Sequence, residues 1–301
     1  MLDGAPIAWW IGFHAVVLVL IVADLAVLGR GKASSQTLRN FLFVLFLFAL
    51  AACFGVWIGH VEGHQTGLEF ASGYLIELSL SIDNLFVFLL MFRSFGLAAE
   101  DQRKALLLGI LGAIVMRGVF IFSGIKLLER FTWIQYLFGA ILVVAAVRLL
   151  LAEKQKKAGE PPTPANQITR WTKGLGKSPR MTFLLAVVAI ELVDLVFAID
   201  SVPAVLAISH HPFVVYTSNI LAILGLRSLY FLLAGMLERL HYLHFGLAAI
   251  LAFVGCKMLL GKWIKVPVEV SLGIIVVVIV VATVASLVSS THRAHESTAI
   301  R

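Results

Sequence analysis

Long apolar runs separated by short polar stretches make up most of the chain. A helix that crosses a membrane needs about 20 largely apolar residues, because it rises about 1.5 Å per residue through a hydrocarbon layer of about 30 Å. The runs that meet this length are residues 9–28, 41–60, 70–92, 105–125, 131–151, 181–209, 213–235, 242–260 and 268–289. The pattern predicts an all-α, polytopic membrane protein with about nine transmembrane helices.

A polar stretch between the fifth and sixth runs divides the chain into two halves. It is rich in Lys and contains three prolines within residues 160–164, a composition that is typical of a solvated linker. The predicted organisation is two N-terminal helices (1–69), a three-helix unit (70–151), a cytoplasmic linker (152–180), a second three-helix unit (181–260), and a last helix with a cytoplasmic tail (261–301).

The two three-helix units resemble each other in sequence. MRGVFIFSGIKLLER, from Met116, is similar to LRSLYFLLAGMLER, from Leu226, and LFGAIL, from Leu137, is similar to GLAAIL, from Gly246. Helices 3–5 therefore match helices 6–8. Because each unit has an odd number of helices, the second must enter the membrane from the opposite side, as in the inverted repeats of secondary transporters. Chance similarity among Leu-rich helices is the alternative.

Composition and charge narrow the class of protein. With 60% hydrophobic and 14% charged residues and a mean hydropathy of +0.97, a soluble core inside a charged surface is excluded, and the lipid bilayer is the expected partner. The net charge of +7 does not indicate nucleic-acid binding, because the basic residues lie mainly in loops. Of the 24 Lys and Arg residues, 17 fall on one side. Positive loops stay in the cytoplasm, so we predict a multi-pass plasma (inner) membrane protein whose amino terminus is outside and whose carboxyl terminus is cytoplasmic.

Carboxylates within the third and sixth runs are the most informative polar residues. An unpaired charge at the bilayer centre costs about 2.5 to 3.5 kcal/mol on insertion scales, so ionisable residues there indicate function. Carboxylate and amide oxygens suit hard divalent ions such as Mn²⁺, Mg²⁺ and Ca²⁺, and Zn²⁺ stays open. The predicted metal ligands are Glu77, Asp83, Asn84, Glu191, Asp194, Asp200 and Ser201. Their neutralisation as buried structural groups is the alternative interpretation.

Helix geometry decides whether these groups can converge. Asp83 lies six positions after Glu77, which places the two residues about 120° apart and about 9 Å along an unbroken helix. Pro203 lacks an amide hydrogen, so the sixth helix is predicted to open next to Asp200. Inversion of the repeat then predicts that Asp83 and Asp200 face each other within roughly 6 Å near the membrane centre, with Glu77 and Asp194 as a second pair.

Two arginines occupy corresponding positions within the fourth and seventh runs. Arg117 and Arg227 lie too deep to reach water easily, so each is expected either to compensate carboxylate charge or to make a structural bond to a neighbouring helix. Asp24, near the inner end of the first helix, is expected to be an interfacial residue more often than a ligand.

The motifs ELSLSIDN and ELVDLVFAIDSVPAVLAI resemble those of the TerC family of integral membrane proteins, named for tellurite resistance. The resemblance extends from the first helix to the ninth. It implies a relationship to the LysE-type exporter superfamily and a role in manganese export or metal homeostasis. The acidic motif positions that it carries over are Glu77, Asp83, Asn84, Glu191, Asp194, Asp200 and Ser201. Tellurite is an oxyanion that carboxylates would repel, so tellurite transport is not expected.

Together these observations predict a divalent cation transporter and not an enzyme. Mn²⁺ is the favoured substrate, export is the favoured direction, and proton exchange is a natural coupling, because metal ligands must be deprotonated. No permanently bound cofactor is expected, and the sequence leaves the oligomeric state open. The alternatives are an exporter of a small organic cation or amino acid, and a membrane metal-binding partner or enzyme without transport.

Overall fold

Helices and their connecting turns account for the described chain. The structure, a computed structural model, describes residues 5–28, 33–131, 133–156, 178–233, 243–264 and 266–299, and these ranges contain no β-strand. The helices described are α1 (Ile7–Leu28), α2 (Ala33–Val61), α3 (His64–Phe95), α4 (Ala99–Arg130), α5 (Ile134–Lys156), α6 (Pro179–Leu206), α7 (Pro212–Leu224), α8 (Leu226–Leu233), α9 (Leu243–Leu260) and α10 (Val268–Ala299). The predicted all-α class is confirmed for this part of the chain.

Seven stretches of the described chain are long and apolar enough to cross a membrane. They are Ile7–Asp24, Thr37–Val61, His64–Leu89, Ala99–Arg130, Arg180–Leu206, Pro212–Leu232 and Val268–Ser286. The helices α7 and α8, which meet at Gly225, form one of these spans. The other two predicted runs correspond to shorter apolar stretches, Ile134–Val147 in α5 and Phe245–Leu260 in α9. A total of nine crossings therefore stays a prediction.

The predicted linker lies mostly outside the described residues. Helix α5 extends to Lys156, so residues 152–156 are helical, and α6 begins at Pro179. The side chain of Ser178 caps α6 by accepting a hydrogen bond from the backbone N–H of Met181 at 3.3 Å, and Pro179 provides the fixed φ angle that a first helical turn tolerates. Residues 157–177 are not described.

Burial separates a central group of helices from a peripheral one. In the 18-residue apolar windows of these spans, 94% of residues are buried in the α7–α8 span and 75% in α3, whereas the figure is 22% for α2 and α10. Because lipid solvates apolar side chains, exposed Val, Leu and Phe side chains on α2 and α10 are expected on a lipid-facing surface. The polar residues of the central helices are thereby held away from both lipid and water.

The helices of the two predicted three-helix units contact each other in several pairs. Helix α3 packs on α7, α4 packs on α6, α3 packs on α6, and α5 packs extensively on α9. At the α5–α9 contact a Cβ added to Gly139 would lie 3.0 Å from the carbonyl oxygen of Gly255, so both positions need glycine for the helices to approach. The interface between the units is therefore a tightly packed helix layer.

Candidate functional site

Arg117 of α4 is the centre of a buried polar cluster. Its side chain is fully buried, and its guanidinium makes an ion pair with Glu77 of α3 and a second one with Asp194 of α6, with 3.2 Å between Nη2 and Oδ1. Each of the three residues lies close to the middle of its helix. Glu77 belongs to the first predicted repeat and Asp194 to the second, so one arginine joins the two halves of the protein.

Neutral side chains complete the hydrogen bonding of this cluster. The Arg117 guanidinium also donates to Ser201 Oγ and to Asn219 Oδ1, both at 3.2 Å. The Asn219 amide donates to Glu77 Oε2 at 2.8 Å, and the Ser81 hydroxyl donates to Glu77 Oε1 at 3.2 Å. Glu77 therefore binds an arginine, an amide and a hydroxyl, which is the pairing that a buried carboxylate requires.

Asn219 is a member of the cluster that sequence reasoning missed. It lies on α7, where every residue is buried, and its amide contacts both Arg117 and Glu77. The available signal was the polar sequence Thr217-Ser218-Asn219 within an otherwise apolar span, since polar residues inside membrane helices are costly and usually paired.

Glu191 lies one turn before Asp194 and is only half-buried. Its carboxylate occupies the space next to Gly112 of α4, where any added Cβ would collide with the carboxylate oxygens. The absence of a side chain at Gly112 is therefore what leaves room for Glu191 in the α4–α6 contact.

Some hydrogen-bonding capacity of the cluster is unused. Among the predicted site residues that the structure describes, three buried atoms have no hydrogen-bond partner: Arg117 Nε and Asp194 Oδ2 in the cluster, and Asn84 Nδ2 on α3. Burying such groups without a partner costs about 1 to 3 kcal/mol each. A bound cation could satisfy only the acceptor, Asp194 Oδ2, whereas the two N–H donors need an acceptor such as water. The side chains of Asp83 and Asp200 lie outside the described residues, and their predicted approach stays a prediction.

The sixth helix does not open at Pro203, contrary to the sequence-based prediction. Helix α6 continues through Asp200 and Pro203 to Leu206, and the N–H of Ala207 donates to the Pro203 carbonyl at 3.0 Å. Pro203 lies in the last turn, where the helix is about to end, and membrane helices tolerate a single missing amide bond when neighbouring helices support them. The helix therefore does not break at Pro203, although the missing amide hydrogen leaves the Ile199 carbonyl without its usual intrahelical donor.

Helix α3 is continuous as well. The hydroxyl of Ser79 donates back to the Leu75 carbonyl at 2.8 Å, and the Ser81 hydroxyl bonds to Glu77, so neither opens the helix. An intact helix leaves Glu77 and Asp83 about 120° apart. Glu77 instead meets Asp194 through Arg117.

Arg227 pairs with a different carboxylate from those bound by Arg117, its counterpart in the predicted repeat. Its Nε lies 3.2 Å from Asp24 Oδ2 of α1, its Nη2 is 3.4 Å from the Asp24 carbonyl, and Ser228 donates to the same carboxylate at 3.4 Å. Asp24 is only 5% exposed, so it is a buried partner of Arg227, and its expected position near the membrane interface stays a prediction. Arg227 compensates a charge outside the motifs, and it fastens α1 to α8.

The described side chains do not include a ready-made metal site. Within the described ranges, no three His, Cys, Asp or Glu residues are grouped closely enough to hold a metal ion. In the Arg117 cluster, the guanidinium lies between the carboxylates of Glu77 and Asp194, so these two carboxylates do not form a metal-binding group. A metal ion that used both carboxylates would have to replace the guanidinium.

The fold and the cluster define a polytopic α-helical membrane protein with a buried ionic site between helices α3, α4, α6 and α7. Residues 62–294 match the family described as "Integral membrane protein TerC family", and the chain belongs to that family.

Relatives are similar over nearly the whole chain. An uncharacterized membrane protein of Myxococcus xanthus is 39% identical over 303 residues, covering 96% of this chain and 94% of the relative. A protein of Escherichia coli K12, whose name proposes a membrane-bound redox modulator, Alx, is 38% identical over 302 residues, covering 90% of this chain and 91% of the relative. A Rickettsia bellii membrane protein is 33% identical and covers 93% of this chain and 97% of its own length. No solved structure matches the chain.

Proposed function

We propose that this TerC-family protein transports a divalent cation across the membrane, with Mn²⁺ as the favoured substrate, export as the direction and proton exchange as the coupling. The observation that carries the proposal is the position of Arg117, which bridges Glu77 and Asp194 in the buried interior. A pair of carboxylates that holds a guanidinium is already arranged around a cation. An incoming metal ion would compete with Arg117 for the same oxygens.

Charge supports a divalent rather than a monovalent substrate. Arg117 supplies one positive charge, whereas Glu77, Asp194 and the adjacent Glu191 supply three negative charges when they are ionised. The motifs add Asp83 and Asp200 on the same two helices. Carboxylate ligands bind a metal only in the deprotonated form, so binding a divalent ion would release protons, which is the basis for the proposed exchange.

Neutral groups around Arg117 provide a place for it when a substrate binds. Ser201 and Asn219 both accept hydrogen bonds from the guanidinium. If a metal ion took the carboxylates, these two acceptors could retain Arg117 without leaving it unpaired in a low-dielectric interior. Arg117 would then act as the counter-ion of the empty transporter.

The helix contacts have the symmetry that the predicted inverted repeat requires. In the predicted repeat, α3 is equivalent to α6, α4 to the α7–α8 span, and α5 to α9. The α3–α7 contact is therefore equivalent to the α4–α6 contact, and the α3–α6 and α5–α9 contacts each join two equivalent helices. Transporters with inverted repeats hold their substrate at such an interface near the midplane and expose it alternately to each side.

Metal flux in proteoliposomes tests the proposal. The native protein is expected to move Mn²⁺ in a panel that includes Ca²⁺, Zn²⁺ and Mg²⁺, and an opposed proton gradient should accelerate the flux. Asp83→Asn and Asp200→Asn are expected to abolish flux at near-normal membrane abundance, because each removes a ligand charge and a desolvation cost together. Glu62→Gln, a change at an exposed carboxylate, is the matched control. Native-level flux in both Asp variants would refute the proposed site.

The same preparation separates the alternatives. Competition by basic amino acids with no effect of divalent ions would favour an exporter of small organic cations. Mn²⁺ binding without any flux would favour a metal-binding partner or enzyme, and such a role is closer to the redox modulation in the names of the Alx relatives.

A further inference from the structure

A cavity lies well away from the Arg117 cluster, at one end of the bundle. It has a volume of about 560 Å³ and is formed by the start of α5, the connection between α6 and α7, the end of α9 and the connection that follows α9. Along α6 the distance from Asp194 to Ala207, which lines the cavity, is about 20 Å at 1.5 Å per residue. The cavity is therefore separate from the proposed cation site.

The polar side chains of this cavity are cationic groups and hydrogen-bond donors. They are Gln135, Tyr136, His210, Lys257 and Lys262. Among the described residues, no carboxylate lines the cavity. A volume of this size lies within the range of about 300 to 1,000 Å³ that is usual for small-ligand sites. The lining is thus suited to an anion, unlike the carboxylate cluster in the centre of the bundle.

Lys257 is held in place at the edge of the cavity. It is half-buried, and its Nζ donates to Ser271 Oγ of α10 at 2.9 Å, while Ser271 donates to the Pro267 carbonyl at 3.1 Å. Glu69 of α3 acts electrostatically on Lys257, but its carboxylate also accepts a hydrogen bond from Ser209 at 2.6 Å. An ammonium in such a position retains donor hydrogens for a further acceptor, because Lys carries three.

We propose that this cavity binds a phosphate group, with Lys257 and Lys262 supplying the charge and Tyr136 and Gln135 supplying hydrogen bonds. A compact ammonium binds phosphate as a point charge, and a phosphate offers several acceptor oxygens to such a lining. The cavity opens at the same end of the bundle as the α2–α3 and α4–α5 connections, which is the face predicted to lie outside. The phosphate could come from the headgroup of an anionic phospholipid or from free inorganic phosphate, and the binding chemistry is common to both.

Two binding measurements on the purified full-length protein test the proposal and its source. In the first, inorganic phosphate is titrated and the thermal unfolding temperature is followed. In the second, the protein is placed in vesicles of phosphatidylglycerol and phosphatidylcholine, extracted, and analysed by native mass spectrometry for retained lipid. The variants are Lys262→Gln, which alters an exposed lining lysine, and Lys257→Gln, with Lys126→Gln as the matched control at an exposed lysine that does not line the cavity.

We expect each lining variant to weaken phosphate binding by about tenfold or more, the usual effect of losing one charged hydrogen bond, and Lys126→Gln to leave it unchanged. If the two lining variants bind inorganic phosphate more weakly in the titration, the ligand is free phosphate. If they retain less phosphatidylglycerol but show no change in the titration, the ligand is the lipid headgroup. If the native protein and all variants behave alike in both measurements, the proposal is wrong. Metal flux is not part of either readout, so this outcome is independent of the transport proposal.

Discussion

Replacing Arg117 with Met removes the guanidinium from the centre of the bundle and retains much of its aliphatic volume. Glu77 and Asp194 then lose the cation between them, although both remain buried. The structure predicts a large loss of stability for this single change, because two carboxylates are left close together in a medium of low dielectric constant.

The expected size follows from the bonds that are broken. Removing one partner of a buried ion pair typically costs about 3 to 5 kcal/mol, whereas hydrogen bonds between membrane helices average only about 0.6 kcal/mol. Arg117 has ionic bonds to two carboxylates and neutral bonds to Ser201 and Asn219. We therefore expect Arg117→Met to lower the free energy of unfolding by about 3 kcal/mol, mainly through the unpaired charges.

Charge removal at the partners should reverse most of this effect. The triple variant Arg117→Met, Glu77→Gln, Asp194→Asn carries no charge at these three positions, and it should recover at least half of the lost stability, since neutral buried polar groups cost less than unpaired charges. Glu77→Gln alone should lower the free energy of unfolding by about 1 kcal/mol. Arg117 keeps its ion pair with Asp194, and the Gln side chain still offers an oxygen that accepts from Asn219.

Equilibrium unfolding in mixed detergent micelles, followed by circular dichroism, provides the measurement. Arg130→Met, at an exposed arginine of the same helix, controls for the loss of an arginine as such. The reasoning would be refuted if Arg117→Met were no less stable than the Arg130 variant, or if the triple variant were less stable than Arg117→Met alone.

Three further results are expected. Reporter fusions should place the 152–180 linker and the carboxyl terminus in the cytoplasm, and an outside location of either would overturn the charge-based orientation. Gly112→Ala should reduce Mn²⁺ flux strongly, because an added methyl group displaces the Glu191 carboxylate, and flux equal to that of the native protein would show that this position is not needed. Asp24→Asn should lower the thermal unfolding temperature by leaving Arg227 without its charge partner, with a milder effect on flux than neutralising a motif carboxylate, and an unchanged unfolding temperature would contradict the importance of this pair.

The sequence by itself determined the class of protein and the helices that carry its polar residues. A stretch of about 20 apolar residues is required locally to satisfy the backbone in lipid, so the helices could be located from residue order alone. The acidic motifs on α3 and α6 were equally visible, because a carboxylate in such a stretch is exceptional. That Arg117 and Arg227 need partners also followed from their depth.

Only the tertiary structure decided which partners these groups have. Arg117 bridges Glu77 and Asp194, whereas Arg227, its counterpart in the repeat, pairs with Asp24 of a helix outside the repeat. Spacing along one helix gives the direction of a side chain relative to its own axis. It does not give the rotation and depth at which neighbouring helices meet, because these depend on close contacts such as that of Gly112 with Glu191 and on packing across the whole bundle.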